Sequence, residues 1–451
     1  MPVLNNDKTS WNLYLSAIEN GFLNASQYPA NQAFQPLAIL QRASWDVANA
    51  PNFDRFVQAD MLNNLPNWGG FGVIGITKLS DVYGDFLQTL IDNILATLDL
   101  STLTPAQTAT INNLKADQAT NAASAATAYS QAKTDWTNYC TNNGTDPNNI
   151  YLKNKFFETN PNYLTYAGFN NRANYDASQI FLITSAANPD SKLITAASMA
   201  YANTSYQLNL PQIVADENNS SNYVPVYSQS LNFDINTFKN GTLNQSLTID
   251  STTVESTTVE TKWGGSFGVS VGFFSIGGSA NSDNISKYFS QNSVNISIAF
   301  SNIGSFAVAR GGWFKGYAID KLGHYTPQYF GVNGKLAVIP VQVVVVKGPS
   351  ITITVDNTTA SLVENHFSSG GSFGIGPFNF GGGYSSDYIH SSFQNNGNSF
   401  TISATGNDAY ILGWISYLPN YPASGLSGSM SPQMAEIQAL SKRESVLGEL
   451  V

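Results

Sequence analysis

Charge is what this sequence has least of. Asp, Glu, Lys and Arg make up 11% of its 451 residues, against roughly 25% in an average soluble domain. Asn, Ser, Thr and Tyr supply the missing polarity. A surface of uncharged polar groups is weakly repelled by membranes, glycans or copies of itself, which suits a protein working at a surface or in an assembly. The formal net charge is −10 and there is no basic run, so nucleic acid is not an expected partner: phosphate contacts need Lys and Arg. Cysteine is nearly missing too. A single Cys140 excludes an internal disulfide framework and reads as a small side chain within a helix. The three histidines, His324, His366 and His390, stand far apart with no partner at metal-ligand spacing. No run of about 18 apolar residues could form a transmembrane helix. The start MPVLNNDKTSWNLYL has no basic stretch leading into an apolar one, so synthesis in the cytoplasm and, for any export, a leaderless route are expected.

Catalytic patterns are also missing. There is no GxSxG, HExxH, Walker or EF-hand motif. Gly70-Phe71-Gly72-Val73-Ile74-Gly75 matches a dinucleotide fingerprint, but the loop NNLPNW precedes it and the next helical pattern starts only near Ser80. The fingerprint needs a strand before it and a helix opening inside it, so the match is a product of composition. The expectation is a non-enzymatic protein with no catalytic, cofactor or metal residues. Two dispersed carboxylates, all that a glycosidase requires, are the one hydrolase arrangement left open.

What is present falls into two parts. The first 210 residues read as helical. Residues 79–100 space Val82, Phe86, Leu90, Ile94 and Leu98 four apart, with Ser80 and Asp81 as capping candidates. Residues 104–140 form a long Ala-rich helix, with Thr104 as cap, Pro105 in the first helical position and Asn143-Gly144 as the stop. The short break at 101–103 predicts that these two pair as an antiparallel hairpin. Shorter helices are expected near 176–186 and 191–202. From Tyr206 the period changes to two. Ile351, Ile353 and Val355 alternate with Thr352 and Thr354, and KLAVIPVQVVVVK, residues 335–347, reads as a strand crossing the core, with Pro340 marking a bulge or an edge. Residues 431–450 return to helix. The predicted class is α+β: a helical domain at 1–210, an antiparallel, sandwich-like β domain at 211–424, and a helical tail at 425–451.

The β part is duplicated. GGSFGVSVGFFSIGG, residues 264–278, recurs as GGSFGIGPFNFGGG, residues 370–383. The flanks align as well: Ser246–Ile249 with Ser350–Ile353, Asp283, Ile285 and Phe289 with Asp387, Ile389 and Phe393, Ile296 and Ile298 with Phe400 and Ile402, and Trp313 with Trp414. The repeats span 246–314 and 350–415. Each reads as a long hairpin whose connection carries a short helix, SDNISKYFSQ in the first and SDYIHSSFQN in the second.

Within the first copy Phe267, Val269, Val271 and Phe273 share one strand face, and Phe373 and Ile375 repeat the pattern in the second. A transmembrane strand needs about 9–11 residues of such alternation, so these six are candidates for membrane insertion. Two Ser/Gly-rich segments flanking a core sheet resemble the perforin-type pore formers. Gly323-His324-Tyr325 between them is similar to that family's Gly-Thr-His-aromatic signature, although the Thr is missing and the following glycines are not in place. The resemblance implies an oligomeric, membrane-inserting protein; the departures leave the chain outside the family. The same alternation is compatible with a Gly-rich sandwich whose two copies bury their apolar faces against each other. Trp313 and Trp414, amid 22 Tyr and 7 Trp, are candidate glycan-binding platforms, or core anchors of their own copies. The functional expectation is a self-associating, surface-acting protein of pore-forming or toxin type, forming a homo-oligomer on a lipid membrane or a cell-surface glycan. The alternative is a structural assembly or glycan-binding protein that does not enter lipid.

Overall fold

The computed structural model describes residues 5–23, 29, 31–43, 52–66, 77–97, 103–145, 150–184, 189–208, 226–231, 233–241, 245–249, 272–278, 281–292, 294–331, 333–381 and 389–419. The tail helix expected at 431–450 lies outside them. Helix α1 (Asn5–Ala17) is followed by a π-helical turn, then strand β1 (Gln32–Ala43) and helices α2 (Asn52–Leu62), α3 (Leu79–Thr97), α4 (Pro105–Asn143), α5 (Ile150–Thr159), α6 (Pro161–Thr184) and α7 (Pro189–Ala202). The α3 stripe is core: Phe86, Leu90 and Ile94 are fully buried and Val82 nearly so. Its first turn is tied down from outside by Asn63, whose backbone carbonyl accepts from Leu79 N–H and whose Oδ1 accepts from Ser80 N–H at 2.9 Å. The cap is therefore Asn63 and not Ser80 or Asp81.

Every punctuation mark read for α4 is in use. Thr104 and Gln107 form a reciprocal capping box, Pro105 opens the helix, and Gly144 closes it at φ 61°, a left-handed conformation that favours glycine. At 39 residues it is roughly 60 Å long. Its antiparallel partner is α6 and not α3. Asn121 donates to Asp176 Oδ2 at 3.0 Å, and Asn160 and Asn162 both donate to Asp135 Oδ2, at 2.9 and 2.8 Å. Ala125, Ala128 and Ala132 are buried on α4 and let the neighbouring backbone come close. Helix α3, half the length of α4, meets only its first turns, where Ile111 joins the α3 core, and packs chiefly on α7.

The second half begins with a small ribbon, β2 (Gln207–Leu208) and β3 (Val226–Tyr227). It continues through β4 (Gln229–Leu231), α8 (Ile235–Asn240), β5 (Gln245–Ile249), β6 (Phe274–Gly277), α9 (Ser282–Gln291), β7 (Asn295–Phe300), β8 (Asn302–Arg310), α10 (Gly316–Leu322), β9 (Ile339–Lys347), β10 (Ser350–Thr354), α11 (Asn357–Ser368), β11 (Ser372–Ile375), β12 (Phe378–Gly381), β13 (Ile389–Asn395), β14 (Ser399–Ala404) and β15 (Ala409–Tyr417). The chain is α+β. A five-stranded sheet has the order β1-β15-β9-β8-β4, and an eight-stranded sheet the order β5-β7-β10-β14-β13-β12-β11-β6. Strand β1 corrects the all-helical reading of the first 210 residues: it pairs antiparallel with β15 at the far end of the chain. Gly413 makes room for it, since a Cβ there would lie 2.2 Å from the Gln35 carbonyl oxygen. Leu40 N–H, beside the β1 bulge, donates to Pro377 O in the turn after β11 and so links the two sheets.

The most apolar segment is apolar because both its faces are covered. Val344 and Val346 of β9 enter a core shared with Phe373, Phe380 and Ile402 of the larger sheet and with Trp11 and Tyr14 of α1. Val343 and Val345 enter another with Trp414, Ile411 and Phe238. Two sheets therefore sandwich one core. Pro340 sits where β8 has ceased to pair with β9 and the β15 register shifts, so its missing N–H costs no ladder bond. Its carbonyl accepts from the Arg310 guanidinium, which also donates to Gln229.

The two copies interleave with one register. Ile351 of β10 faces Ile402 of its own copy on one side and the equivalent Ile298 on the other; Ile353 likewise lies between Phe400 and Ile296. Phe373 of β11 lies between Phe380 and the equivalent Ile276, and Ile375 between Phe378 and Phe274. Two expectations about the repeat are corrected. Residues 389–395, read as a helix, are strand β13, in which Phe393 stacks on Phe400 of β14 at 5.4 Å; the helix of the second copy, α11, comes earlier. Trp414 also has a different counterpart. It faces Val343 across from Phe306, whereas Trp313 lies beyond the end of β8.

Asp320 on α10 yields a prediction. Burial raises its carboxyl from 3.8 to about 6, and Lys321 offsets only part of this. A folded-state value above the unfolded one means that the folded chain holds the proton more tightly. Stability present below about pH 4 is then lost as pH rises to about 6. Asp320→Asn should stabilise the protein by roughly 1–3 kcal/mol at pH 7 and by little at pH 4. Urea midpoints of the two proteins at both pH values test this; an equal difference at pH 4 and pH 7 would refute it.

Candidate functional site

The recurring Gly/Ser/aromatic segments meet at β6, β11 and β12. Glycine faces serine across the junction between the copies. A Cβ on Gly374 would lie 2.0 Å from Ser275 Oγ, and one on Gly277 2.4 Å from Ser372 Oγ. Gly376 turns the chain from β11 into β12 at φ 56°. Glycine thus leaves room for serine side chains of the neighbouring copy, and Phe273, Phe373, Ile375, Phe378 and Phe380 between them fill the core.

Of the six insertion candidates, Phe267, Val269 and Val271 lie outside the described residues. The other three are core: Phe273 is 1% exposed, and Phe373 and Ile375 are fully buried. Phe273 meets Trp11 of α1 edge-on at 5.3 Å, and Phe373 lies between Phe289 and Phe400 at 5.4 and 5.7 Å. None of these three presents an apolar face to solvent in this state.

The strand next to them differs. Among the described residues β6 ends the eight-stranded sheet. Its Phe274 and Ile276 are half-buried while Ser275 and Gly277 are exposed. Phe378 and Phe380, their equivalents in β12, are fully buried. Phe274 stacks on Phe289 of α9 at 4.5 Å, so α9 shields the inner face of β6. His366 of α11 is buried against Gly278 and Gly371, with Nε2 3.2 Å from Ser372 O. It wedges between the ends of the two glycine-rich segments. His324 lies against Tyr325 in a 3-10 turn and His390 is exposed on β13. Among the described residues no three His, Cys, Asp or Glu side chains are placed to hold a metal ion, and no helix is long and apolar enough to cross a membrane.

The tryptophans named as glycan platforms do not serve as such. Trp313 is fully buried between Tyr227 and Tyr83, with Nε1 donating to Ser228 O at 3.0 Å; Trp414 is 1% exposed in the core behind β9. Neither offers a ring face to a ligand. A surface that sequence reading missed lies instead between α4 and α6. Asp117, Thr120 and Asn121 of the one and Asn171, Arg172, Tyr175 and Asp176 of the other line an open groove of about 430 Å³, within the range of small-ligand sites. The available signal was spacing: Asp117/Asn121, Asn171/Tyr175 and Arg172/Asp176 are each four apart and share a helix face. The pairing of α4 with α6 brings those faces together. No protein family, curated protein or solved structure matches this chain.

Proposed function

We propose that this is a non-enzymatic, self-associating protein of pore-forming type, and that β6 is the strand through which it leaves its folded state to join a membrane or a second copy. One observation carries the reading. The same sequence element is sealed into the core as β12 in the second copy, and in the first it is β6, half-buried and, among the described residues, the last strand of its sheet. A sheet edge with half-exposed aromatic and aliphatic side chains is a liability unless it is used for pairing. Low surface charge lowers the cost of bringing such an edge to lipid. The burial of Phe273, Phe373 and Ile375 supports a second reading, assembly by edge pairing without membrane entry, because inserting those residues requires unpacking α1 and β11.

Incubation with dye-loaded liposomes, followed by negative-stain imaging, separates the two. Pore formation predicts dye release with ring-shaped particles on the vesicles. Filaments or sheets without release identify the assembly reading. Monomers that release no dye and form no assembly contradict both.

A further inference from the structure

We infer that the groove between α4 and α6 is a binding site for a neutral saccharide, with the exposed ring of Tyr175 as its stacking face. The inference does not depend on the pore-forming reading. Tyr175 is 63% exposed and lines the groove between the two packed helices. An aromatic ring left open beside polar groups offers a flat apolar face to the C–H side of a pyranose. The groups around it suit vicinal hydroxyls. Asn171 and Arg172 supply planar donors, Asp117 a planar acceptor, and Asn121 an amide already fixed by its 3.0 Å hydrogen bond to Asp176.

Charge selects against other ligand classes. Two carboxylates and one guanidinium line the groove, so a phosphate or another anion is repelled. Arg172 lies over the Phe169 ring at 5.5 Å and, among the described residues, forms no ion pair with Asp117 or Asp176. Its donors remain available to a hydroxyl. Among the described residues no third His, Cys, Asp or Glu joins the two carboxylates to hold a metal ion, and an apolar molecule would find Tyr175 the only aromatic residue of the lining. The chemistry left is that of an uncharged, polyhydroxylated ring.

The test is saturation-transfer NMR on the full chain with lactose, maltose, cellobiose and N,N′-diacetylchitobiose as probes. At least one should bind with a Kd of about 1 mM or tighter. Tyr175→Ala should weaken it about tenfold or more, and Asn171→Ala, on the solvent-facing rim, should weaken it while leaving the melting temperature unchanged. Absence of binding by all four sugars at roughly ten times that concentration, or binding that survives Tyr175→Ala undiminished, overturns the inference. Dye release plays no part in this assay, so its outcome and that of the liposome experiment are read separately.

Discussion

Phe378→Lys should leave no cooperatively folded protein, whereas Phe274→Lys, the same change at the equivalent position of the other copy, should fold and, on the pore-forming proposal, release no dye from liposomes. Phe378 is fully buried, against Tyr14 and Phe300 at 6.2 and 5.9 Å. Replacing it removes an aromatic side chain worth about 3–5 kcal/mol in a core and buries an unpaired ammonium besides. That is a large part of the roughly 5–15 kcal/mol that holds a protein together. Phe274 is half-buried on β6, the last strand of its sheet among the described residues. A lysine there can run its stem along Phe289 and place its charge in water. The same charge on a lipid-facing strand costs roughly 2–4 kcal/mol at the bilayer midplane. Thermal melts followed by circular dichroism, with dye release measured in parallel, check both arms. Two variants of equal stability would mean that the difference in burial between the copies has no energetic weight.

Local signals in this sequence were legible where one segment decides its own structure. Thr104, Pro105 and Gly144 bound α4 because caps and turns act within a few residues. The alternation of Ile351 and Ile353 is that of β10, and the duplication is real in its register: Ile298 and Ile402 flank Ile351 as equivalents should. Partner choice was not legible. The short link between α3 and α4 suggested that they pair along their lengths, yet buried alanines and the Asp135 and Asp176 hydrogen bonds assign that role to α6. The segment QAFQPLAILQRA has no clean alternation and contains Pro36; only β15, supplied from the other end of the chain, makes it a strand. Residues 389–395 carry the same Ile and Phe spacing as α9, but pairing with β14 outweighs that helical pattern.

The candidate site was half legible. The unusual composition of 264–278 and 370–383 points to β6, β11 and β12 as the chain's most distinctive element. What composition cannot convey is that β12 is enclosed and β6 half-exposed, since that follows from the order of the strands in the sheet. Trp313 and Trp414 are large amphipathic rings that sequence alone leaves free to be platforms or anchors, and both are buried in the core. Tyr175 carries no motif of its own and becomes notable only when α4 and α6 come together.

If β6 leaves the folded state to enter a membrane, as proposed, it must part from β11, its neighbour in the sheet, and a reversible lock tests this. Gly277 and Ser372 are paired residues on these strands, and a Cβ on Gly277 would lie 3.8 Å from Ser372 Cβ, close to the mean of about 3.8 Å found in disulfides. Gly277→Cys and Ser372→Cys, in a Cys140→Ala background so that no other thiol competes, should join the strands on oxidation without disturbing the fold. The measurement is dye release from liposomes by this one protein before and after reduction. The account predicts no release while the bond is closed and release at the rate of the Cys140→Ala parent once dithiothreitol opens it. Release by the oxidised protein at the rate of the reduced one would show that β6 stays in its sheet while the protein acts.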